Sequence, residues 1–499
     1  MKKTVIRILS LVLVLFTLLS CFIACKDDPA VDAGGSDSAT DSADITDSDT
    51  DEGADTDADG YLKDTLPETY DFKGVDFRIL QWEAGHDFIV GAEATTTAVN
   101  RVKYQSQKSV EERFKVKIKV KQVPDGWKGD GVTQLVQALE ASVVSNSGTY
   151  DMVSHYSDTA GVSSFKGYTT NLLSLKYVDF EKPWWSANLL DTAKIGDKMY
   201  YCGGDINGEN LMRYMYCKYV NLDLYEKYKI GDMVGGRTIF QVVDDGDWTI
   251  DTFKMMAIGS MSNEDALYGL VMRDDEYLDA YLYAGGFTIA KSSEGLLTLN
   301  EDLESAKIAT WFSKCQSIFA RDLNVDVKPN DIKPFMDGRS LFAGDEGLDT
   351  AEQMSADGSV NFSILPIPKY DSDQERYYTC QGVYSSLITV PSDVKDREMC
   401  GMILEGLASS NHRVVKDVVY YDVFQTRFAA AESADGARMF DILYNSIVFD
   451  TARAFLHIGM PSFIWRETVR DAEKQWVSSY TAARDSFIKG LNDLYGTLG

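Results

Sequence analysis

Several aromatic residues stand beside carboxylate, amide or imidazole residues along this chain. Such groupings suit sugar recognition, because aromatic rings stack on flat C–H faces while polar side chains make paired hydrogen bonds to hydroxyls. The candidate ligand-binding residues chosen on this basis are Trp82, Glu83, His155, Tyr156, Asp158, Trp184, Trp185, Asp205, Asn207 and Trp465. At least one ring of the consecutive pair Trp184 and Trp185 should be partly exposed, unless the pair lies in an extended segment buried on both sides. A core or interface position explains any single Trp about as well as ligand contact does.

Motifs that would indicate catalysis or a bound cofactor are missing from the sequence. It contains no His-Glu-x-x-His, Gly-x-Ser-x-Gly, Cys-x-x-Cys, Gly-x-x-x-x-Gly-Lys or Gly-x-Gly-x-x-Gly pattern. The 4 His residues are not spaced like metal ligands. We therefore expect a protein that is not an enzyme, with no catalytic residue, no cofactor and no metal site. An exported carbohydrate-active hydrolase is the alternative, because a retaining glycosidase needs only two carboxylates about 5 Å apart.

The amino terminus is typical of an export signal. Lys2, Lys3 and Arg7 form a short basic region, and residues 8–24 follow as an almost continuous apolar run that ends at Cys25. The layout resembles a bacterial lipoprotein signal, which implies removal of most of residues 1–25 and lipid attachment at a cysteine.

Two cysteines are candidates for the lipid. Cys21 matches the usual lipobox better by residue type, whereas Cys25 lies at the end of the apolar run. We expect lipidation at Cys25, with Cys21 as the alternative, because cleavage before Cys21 would leave an apolar stub. The mature protein is then expected on the extracellular face of the cell membrane, held by the lipid.

Residues 26–60 form an Asp-rich segment without one aromatic residue. One Lys against thirteen Asp and Glu gives this segment a charge of −12, and this composition predicts a disordered, self-repelling linker. Because the signal carries +3 and the whole chain −28, residues 61–499 carry −19. An acidic folded part opposes nucleic-acid binding, which requires clustered Lys and Arg.

The remaining 439 residues exceed what one core usually supports, so two lobes are expected. Apolar alternation predicts strands near residues 75–80, 114–120 and 150–153, and apolar residues on one helical face predict helices around 99–110 and 135–143. This order predicts an α/β domain with a mainly parallel sheet. In such sheets ligands bind beyond the carboxyl ends of the strands, where residues 82–83 and 155–158 fall.

Seven short motifs in order resemble the extracellular solute-binding proteins of family 1 type, which include maltose- and oligosaccharide-binding members. They are residues 110–116 (VEERFKV), 150–153 (YDMV), 196–201 (GDKMYY), 219–227 (YVNLDLYEK), 247–253 (DWTIDTF), 337–342 (DGRSLF) and 364–368 (ILPIP). The sequence departs from the family at Gly203, Gly204 and Asp205, where a proline is common. The similarity covers almost everything after the linker.

The resemblance implies a periplasmic-binding-protein-like type II fold, with two α/β lobes around a ligand cleft and hinge strands between them. Residues 61–205 plus 376–425 would form lobe 1, and residues 206–375 plus 426–499 would form lobe 2. The chain would cross between lobes near residues 202–206 and 370–381.

The same resemblance implies the solute-binding component of an ABC importer, which delivers a small solute, with a carbohydrate or oligosaccharide expected, to membrane permease subunits. The protein is expected to act as a monomer without nucleic acid. A surface sensory or adhesion receptor on the same fold is a further alternative, since fold does not fix function.

Overall fold

The computed structural model describes most of the chain after residue 55. The described residues are 56–57, 60–83, 88–92, 95, 97–126, 132–208, 210–260, 268–272, 277–293, 296–320, 326–327, 332–347, 350–351, 354, 358, 360–382, 384–418, 434–455 and 461–498. The predicted signal with Cys21 and Cys25, and nearly all of the predicted linker, lie outside them. Within these ranges, no helix combines the length and the apolar character that crossing a membrane requires.

The described chain alternates strands and helices. The strands are β1 (Val75–Trp82), β2 (Val116–Val123), β3 (Met152–Tyr156), β4 (Lys194–Ile195), β5 (Lys198–Met199), β6 (Tyr216–Asn221), β7 (Tyr268–Met272), β8 (Ala290–Ser293), β9 (Leu296–Leu299), β10 (Asp326–Val327), β11 (Ser340–Glu346), β12 (Phe362–Leu365), β13 (Thr379–Cys380), β14 (Ser386–Thr389) and β15 (Ile447–Val448). The helices are α1 (Ala98–Phe114), α2 (Gln134–Ser145), α3 (Ser157–Phe165), α4 (Ala187–Ala193), α5 (Asn210–Arg213), α6 (Leu222–Lys227), α7 (Ile239–Asp244), α8 (Ile250–Gly259), α9 (Tyr277–Ala284), α10 (Ala306–Phe319), α11 (Lys333–Met336), α12 (Arg397–Asp417), α13 (Ala434–Asn445), α14 (Thr451–Ala454), α15 (Pro461–Val469) and α16 (Trp476–Leu498).

The first sheet has four strands in the order β14-β3-β1-β2. Strand β1 pairs parallel with both β2 and β3, and β14 pairs antiparallel with β3. The second half of β1 is buried on both faces, as a central parallel strand should be. At the sheet edge, β2 exposes Lys117, Lys119 and Lys121 on solvated positions, which discourages pairing with another chain.

Local sequence explains where the helices of the first sheet begin and end. Thr97 and Thr133 cap α1 and α2, because each hydroxyl accepts a backbone N–H, from Asn100 at 3.1 Å and Val136 at 3.2 Å respectively. Both helices end at a left-handed residue, Lys115 and Asn146. The predicted strand–helix–strand–helix–strand order is confirmed from β1 to β3.

The second sheet has five strands in the order β10-β7-β11-β6-β12. Strand β7 pairs parallel with β10 and β11, while β6 runs antiparallel to β11 and β12. The amino end of β6 therefore lies at the same sheet edge as the carboxyl ends of β7 and β11. This mixed α/β arrangement confirms the predicted fold class.

Separate hydrophobic clusters pack around the two sheets. One contains Phe77, Ile79 and Phe114 with the first sheet, and another contains Trp248, Phe253 and Phe342 with the second. The carboxyl-terminal helix α16 contributes Trp476, Tyr480 and Phe487 to the second-sheet cluster but Leu491, Leu494 and Leu498 to the first-sheet cluster. Two further clusters lie beside these, one with Leu80 and Val153 of the first sheet and one with Tyr219 and Val271 of the second, and α16 packs on both of the larger clusters.

Lys218 is a fully buried lysine in the middle of β6. Its ammonium nitrogen lies 4.0 Å from the ring centroid of Phe253, 5.5 Å from that of Tyr277 and 5.4 Å from that of Tyr281. The nitrogen makes no hydrogen bond within the described chain. Because burial removes the charged form from water, the pKa of Lys218 is lowered well below its ordinary value.

We predict that Lys218→Met stabilises the protein most strongly in acid. In the pH window between the lowered folded pKa and the ordinary unfolded pKa, the unfolded chain binds one more proton, so wild-type stability rises with pH by up to about 1.4 kcal/mol per pH unit. Lys218→Met removes this dependence of stability on pH. Chemical denaturation at a series of pH values measures the dependence, and Lys489→Met, at an exposed lysine, is the control that leaves it unchanged. Equal slopes in Lys218→Met and the wild type would contradict the prediction.

Candidate ligand-binding site

Two segments of the described chain lead from one sheet to the other, and a third segment follows β15; we call these three the crossing segments. The first, residues 200–215, pairs through Cys202 with Ile388, whose backbone groups exchange hydrogen bonds of 3.0 Å and 2.9 Å. The second, residues 366–385, pairs through Gln381 with Met215. Strand β15 pairs parallel with β13 and leads into the third segment, residues 449–455. The carboxyl edges of β1 and β3 therefore meet the segments that lead to the second sheet.

A series of four aromatic rings runs from the first sheet to the crossing segments. Successive ring centroids are 5.4 Å apart for Trp82 and Tyr156, 5.8 Å for Tyr156 and Tyr384, and 5.9 Å for Tyr384 and Tyr214. Trp82 and Tyr156 end β1 and β3, while Tyr214 lies two residues before β6. Tyr384 is 43% exposed, whereas the other three side chains are buried. The ring of Tyr384 is therefore accessible to solvent, and it packs on the buried rings of Tyr156 and Tyr214.

Carboxylates accompany this series at the end of β3. Asp125 accepts the backbone N–H of Tyr156 at 3.0 Å and the hydroxyl of Thr159 at 2.7 Å, so it holds the start of α3. Asp158, in the first turn of α3, is fully buried, and both its oxygens make no hydrogen bond within the described chain. Burial first, and then repulsion from Asp125, raises the pKa of Asp158 to about 7. Glu83 follows β1 and is exposed.

His155 has a structural environment. It is fully buried within β3, and its Nε2 lies 3.0 Å from the hydroxyl oxygen of Thr389 on β14. Burial lowers the pKa of His155 to about 3, so the imidazole is neutral at physiological pH. The structure thus places Trp82, Glu83, Tyr156 and Asp158 at one sheet edge, with His155 behind them in the sheet.

The consecutive tryptophans occupy a different cluster. The indole N–H groups of Trp184 and Trp185 both donate to the carboxylate of Glu405 on α12, each over 3.1 Å. Trp184 is 0% and Trp185 is 4% exposed. The expectation that one ring would be partly exposed is therefore wrong, because one buried carboxylate satisfies both indoles. Burial raises the pKa of Glu405 to about 7.

Asp205 and Asn207 lie beside the tryptophan pair in the first crossing segment. Asp205 contacts Nδ1 of His412 at 2.5 Å, and the His412 ring centroid lies 6.0 Å from that of Trp184. Asn207 is buried and accepts the backbone N–H of Gly204 at 3.0 Å, while its amide donates to the Ser386 carbonyl at 2.9 Å. These contacts hold the segment against α12 and β14.

A cavity of about 220 Å³ borders this cluster, and the side chains of Trp184, Trp185, Asp205, Tyr444 and Phe449 are among its lining. The last candidate, Trp465, lies elsewhere. It is fully buried in the second-sheet cluster, where its indole donates to the Leu278 carbonyl at 3.0 Å and its ring packs on Phe312 and Trp476. The ten candidates therefore separate into a strand-end group, a Glu405 group and a core tryptophan.

Sequence reasoning missed several residues of the site. Tyr214, Tyr384, Asp125, Gln381 and Arg453 lie at the crossing or at the strand ends, far apart along the chain. Asp125 had a local signal, since it follows a predicted strand, but the other four had none. Within the described ranges, no cluster of three or more His, Cys, Asp or Glu could hold a metal ion. Cys202, Cys217, Cys315, Cys380 and Cys400 are buried thiols that form no disulfide with one another.

Solved structures of other proteins share the fold of this chain. No protein-family model matches the chain, and no curated protein matches it. Solved structures do match. An ABC substrate-binding protein from Listeria monocytogenes in complex with cycloalternan is 12% identical, covers 84% of this chain and 100% of its own, and has a TM-score of 0.55. The cyclic alpha-maltosyl-1,6-maltose binding protein of Arthrobacter globiformis gives 12% identity, coverage of 84% and 100%, and a TM-score of 0.56.

A third match binds a different kind of ligand. UgpB from Mycobacterium tuberculosis, in complex with glycerophosphocholine, is 14% identical, covers 84% of this chain and 98% of its own, and has a TM-score of 0.54. The chain has the periplasmic-binding-protein-like type II fold. The identities are too low to transfer a ligand, and the ligands of the matched structures differ in chemistry.

We predict that Trp185→Ala destabilises the protein by about 3–5 kcal/mol, because it removes a buried ring and leaves one oxygen of Glu405 without its indole donor. Urea denaturation measures the loss. Leu173→Ala, at a side chain that is 41% exposed, is the control and should change stability by less than about 0.5 kcal/mol. A Trp185→Ala protein as stable as the control would show that the ring is not packed in solution.

Proposed function

We propose that this chain is the extracellular solute-binding lipoprotein of an ABC importer, which captures a carbohydrate or oligosaccharide between its two sheets and delivers it to membrane permease subunits. The observation that carries the proposal is the aromatic series from Trp82 to Tyr214, with exposed Tyr384 beside strand ends that bear carboxylates. An accessible ring stacks on a sugar face, and adjacent carboxylates and amides accept and donate to hydroxyls.

The fold supports this role. Type II folds of this kind enclose ligands by rotation of two rigid halves about connecting segments. We propose lobes of residues 61–205 plus 376–425 and 206–375 plus 426–499, joined at the three crossing segments, with α16 packing on both. The protein acts as a monomer, and Cys25 carries the lipid that keeps it at the outer face of the membrane.

The similar structures support a saccharide more than another solute. One of the three is described in complex with cycloalternan, and another is described as a binding protein for cyclic alpha-maltosyl-1,6-maltose. The third is described with glycerophosphocholine, so the solute must be tested directly.

We predict that a neutral saccharide raises the melting temperature of the mature protein, because a solute that binds only the native state stabilises it. Thermal-shift measurement against mono- and oligosaccharides, peptides and polyamines tests the class of solute. Tyr384→Ala should lower the affinity for the sugar by about tenfold, while the stability of the free protein should change about as much as in the control, because both rings are partly exposed and each packs on aromatic neighbours. Tyr70→Ala, at a similarly exposed ring (37%), is the matched control. Melting shifts from peptides or polyamines alone would overturn the sugar assignment.

One observation favours a second candidate, a glycoside hydrolase. Burial raises the pKa of Asp158 to about 7, and Asp125 lies near enough to repel it, so the site holds a neighbouring pair of carboxyl groups, as a glycosidase requires. Two facts oppose it. Asp158 is fully buried, and Asp125 is engaged in holding the start of α3.

We predict that the purified protein releases no reducing sugar from oligosaccharides that it binds. Incubation at several pH values around 7, followed by chromatography of the products, measures this. Asp158→Asn, which removes the titrating group, separates a real activity from a contaminant. Hydrolysis by the wild type that disappears in Asp158→Asn would establish the hydrolase instead.

A further inference from the structure

A small cavity lies where the crossing segments meet. Its volume is about 40 Å³, and it is bounded by the start of α3, by α4, by all three crossing segments and by β14. The polar residues among its lining include Ser157, Thr192, Gln381, Ser385, Asp450, Thr451 and Arg453. One water molecule needs roughly 10–15 Å³ by this measure, so the cavity has room for a hydroxyl group of a solute.

Two of the lining residues carry buried polar groups that have no hydrogen-bond partner in the described chain. Gln381 is 5% exposed, and both its amide oxygen and its amide nitrogen are buried without a hydrogen-bond partner in the described chain. Arg453 likewise has one terminal nitrogen, Nη2, buried without a partner there. Buried polar groups are normally paired, because an unsatisfied group forfeits its hydrogen bonds to water. The cavity thus offers two donors and one acceptor to an occupant.

One carboxyl group and one guanidinium line the cavity, those of Asp450 and Arg453. The other terminal nitrogen of Arg453, Nη1, lies 3.4 Å from Asp279, and Arg466 makes two hydrogen bonds of 2.7 Å and 2.6 Å to the same carboxylate. Asp450 is buried and accepts the backbone N–H of Ala452 at 3.0 Å. An occupant with its own charge would therefore lie close to a buried group of like charge.

We propose that Gln381 and Arg453 form a subsite for one hydroxyl group of an uncharged solute, such as a saccharide or a polyol. A hydroxyl donates one hydrogen bond to the Gln381 oxygen and accepts from the Gln381 amide or the Arg453 guanidinium, which matches the unsatisfied groups. A carboxylate cannot donate and would face Asp450, whereas an ammonium cannot accept and would face Arg453. This inference rests on the proposed solute-binding function and sharpens it to neutral solutes.

Gln381→Met tests the subsite, because methionine keeps the length of the side chain and removes both amide groups. Binding is measured by calorimetry with neutral mono- and oligosaccharides, including glucose, and with glucuronate and glucosamine as the charged counterparts of glucose. We expect neutral sugars to bind the wild type in preference to the charged pair, and Gln381→Met to bind them about tenfold more weakly. The melting temperature of the free variant should not fall, since the amide has no protein partner to lose.

Gln137→Met, the same substitution at an exposed amide on α2, is the control and should match the wild type in affinity and stability. If neutral sugars bind Gln381→Met as tightly as the wild type, only water fills the cavity and the subsite is refuted while the binding function stands. Tighter binding of glucuronate or glucosamine refutes the hydroxyl assignment. If no sugar binds the wild type, the proposed function itself fails and the subsite fails with it.

Discussion

The continuity of the chain between two separately packed sheets is the constraint on which the rest of this structure depends. Each sheet buries its own cluster, so the chain must leave one cluster and enter the other several times. The first two crossing segments pair with each other through Met215 and Gln381, while Cys202 pairs with Ile388 on β14 and Thr379 pairs with Ile447 on β15. The ring contacts from Trp82 through Tyr156 and Tyr384 to Tyr214 bring the ends of β1 and β3 close to the start of β6. The positions of these aromatic residues therefore depend on the connections between the sheets and not on either sheet alone.

Backbone atoms pack so closely around Gly347 and Gly204, near the crossing segments, that neither position has room for a side chain. A Cβ on Gly347 would lie 1.9 Å from the Arg213 carbonyl oxygen, and a Cβ on Gly204 would lie 2.3 Å from that of Trp184. Both glycines also have positive φ. At the first crossing segment, Trp184 to Ser186 pack against Gly203 to Asp205, and their backbone groups exchange hydrogen bonds.

Local sequence patterns could predict the elements of the first sheet, but only part of the site. The order from β1 to β3 follows from alternation and from capping residues within a few positions, and these signals are local. Trp82, Tyr156 and Asp158 were chosen because they end predicted strands, and they do lie at one edge. Trp184 and Trp185 were chosen for their type alone, and their burial depends on Glu405, more than two hundred residues away. No local pattern points to Tyr214 or Tyr384, because each gains its neighbours only through the crossing segments.

Buried polar groups without hydrogen-bond partners affect how a binding site of this kind distinguishes one solute from another. The side-chain polar atoms of Asp158 and Gln381 are buried without hydrogen bonds in the described chain, so the free protein carries their desolvation cost. A solute that supplies the missing hydrogen-bond partners removes this desolvation cost and also gains the free energy of its own contacts. An analogue that lacks the hydrogen-bonding group leaves the protein's polar groups unsatisfied. Sites of this kind reject a missing hydroxyl far more strongly than an apolar pocket rejects an extra one. Aromatic stacking on Tyr384 is tolerant of sugar identity, so selectivity in the proposed function must come from the buried polar groups behind the ring.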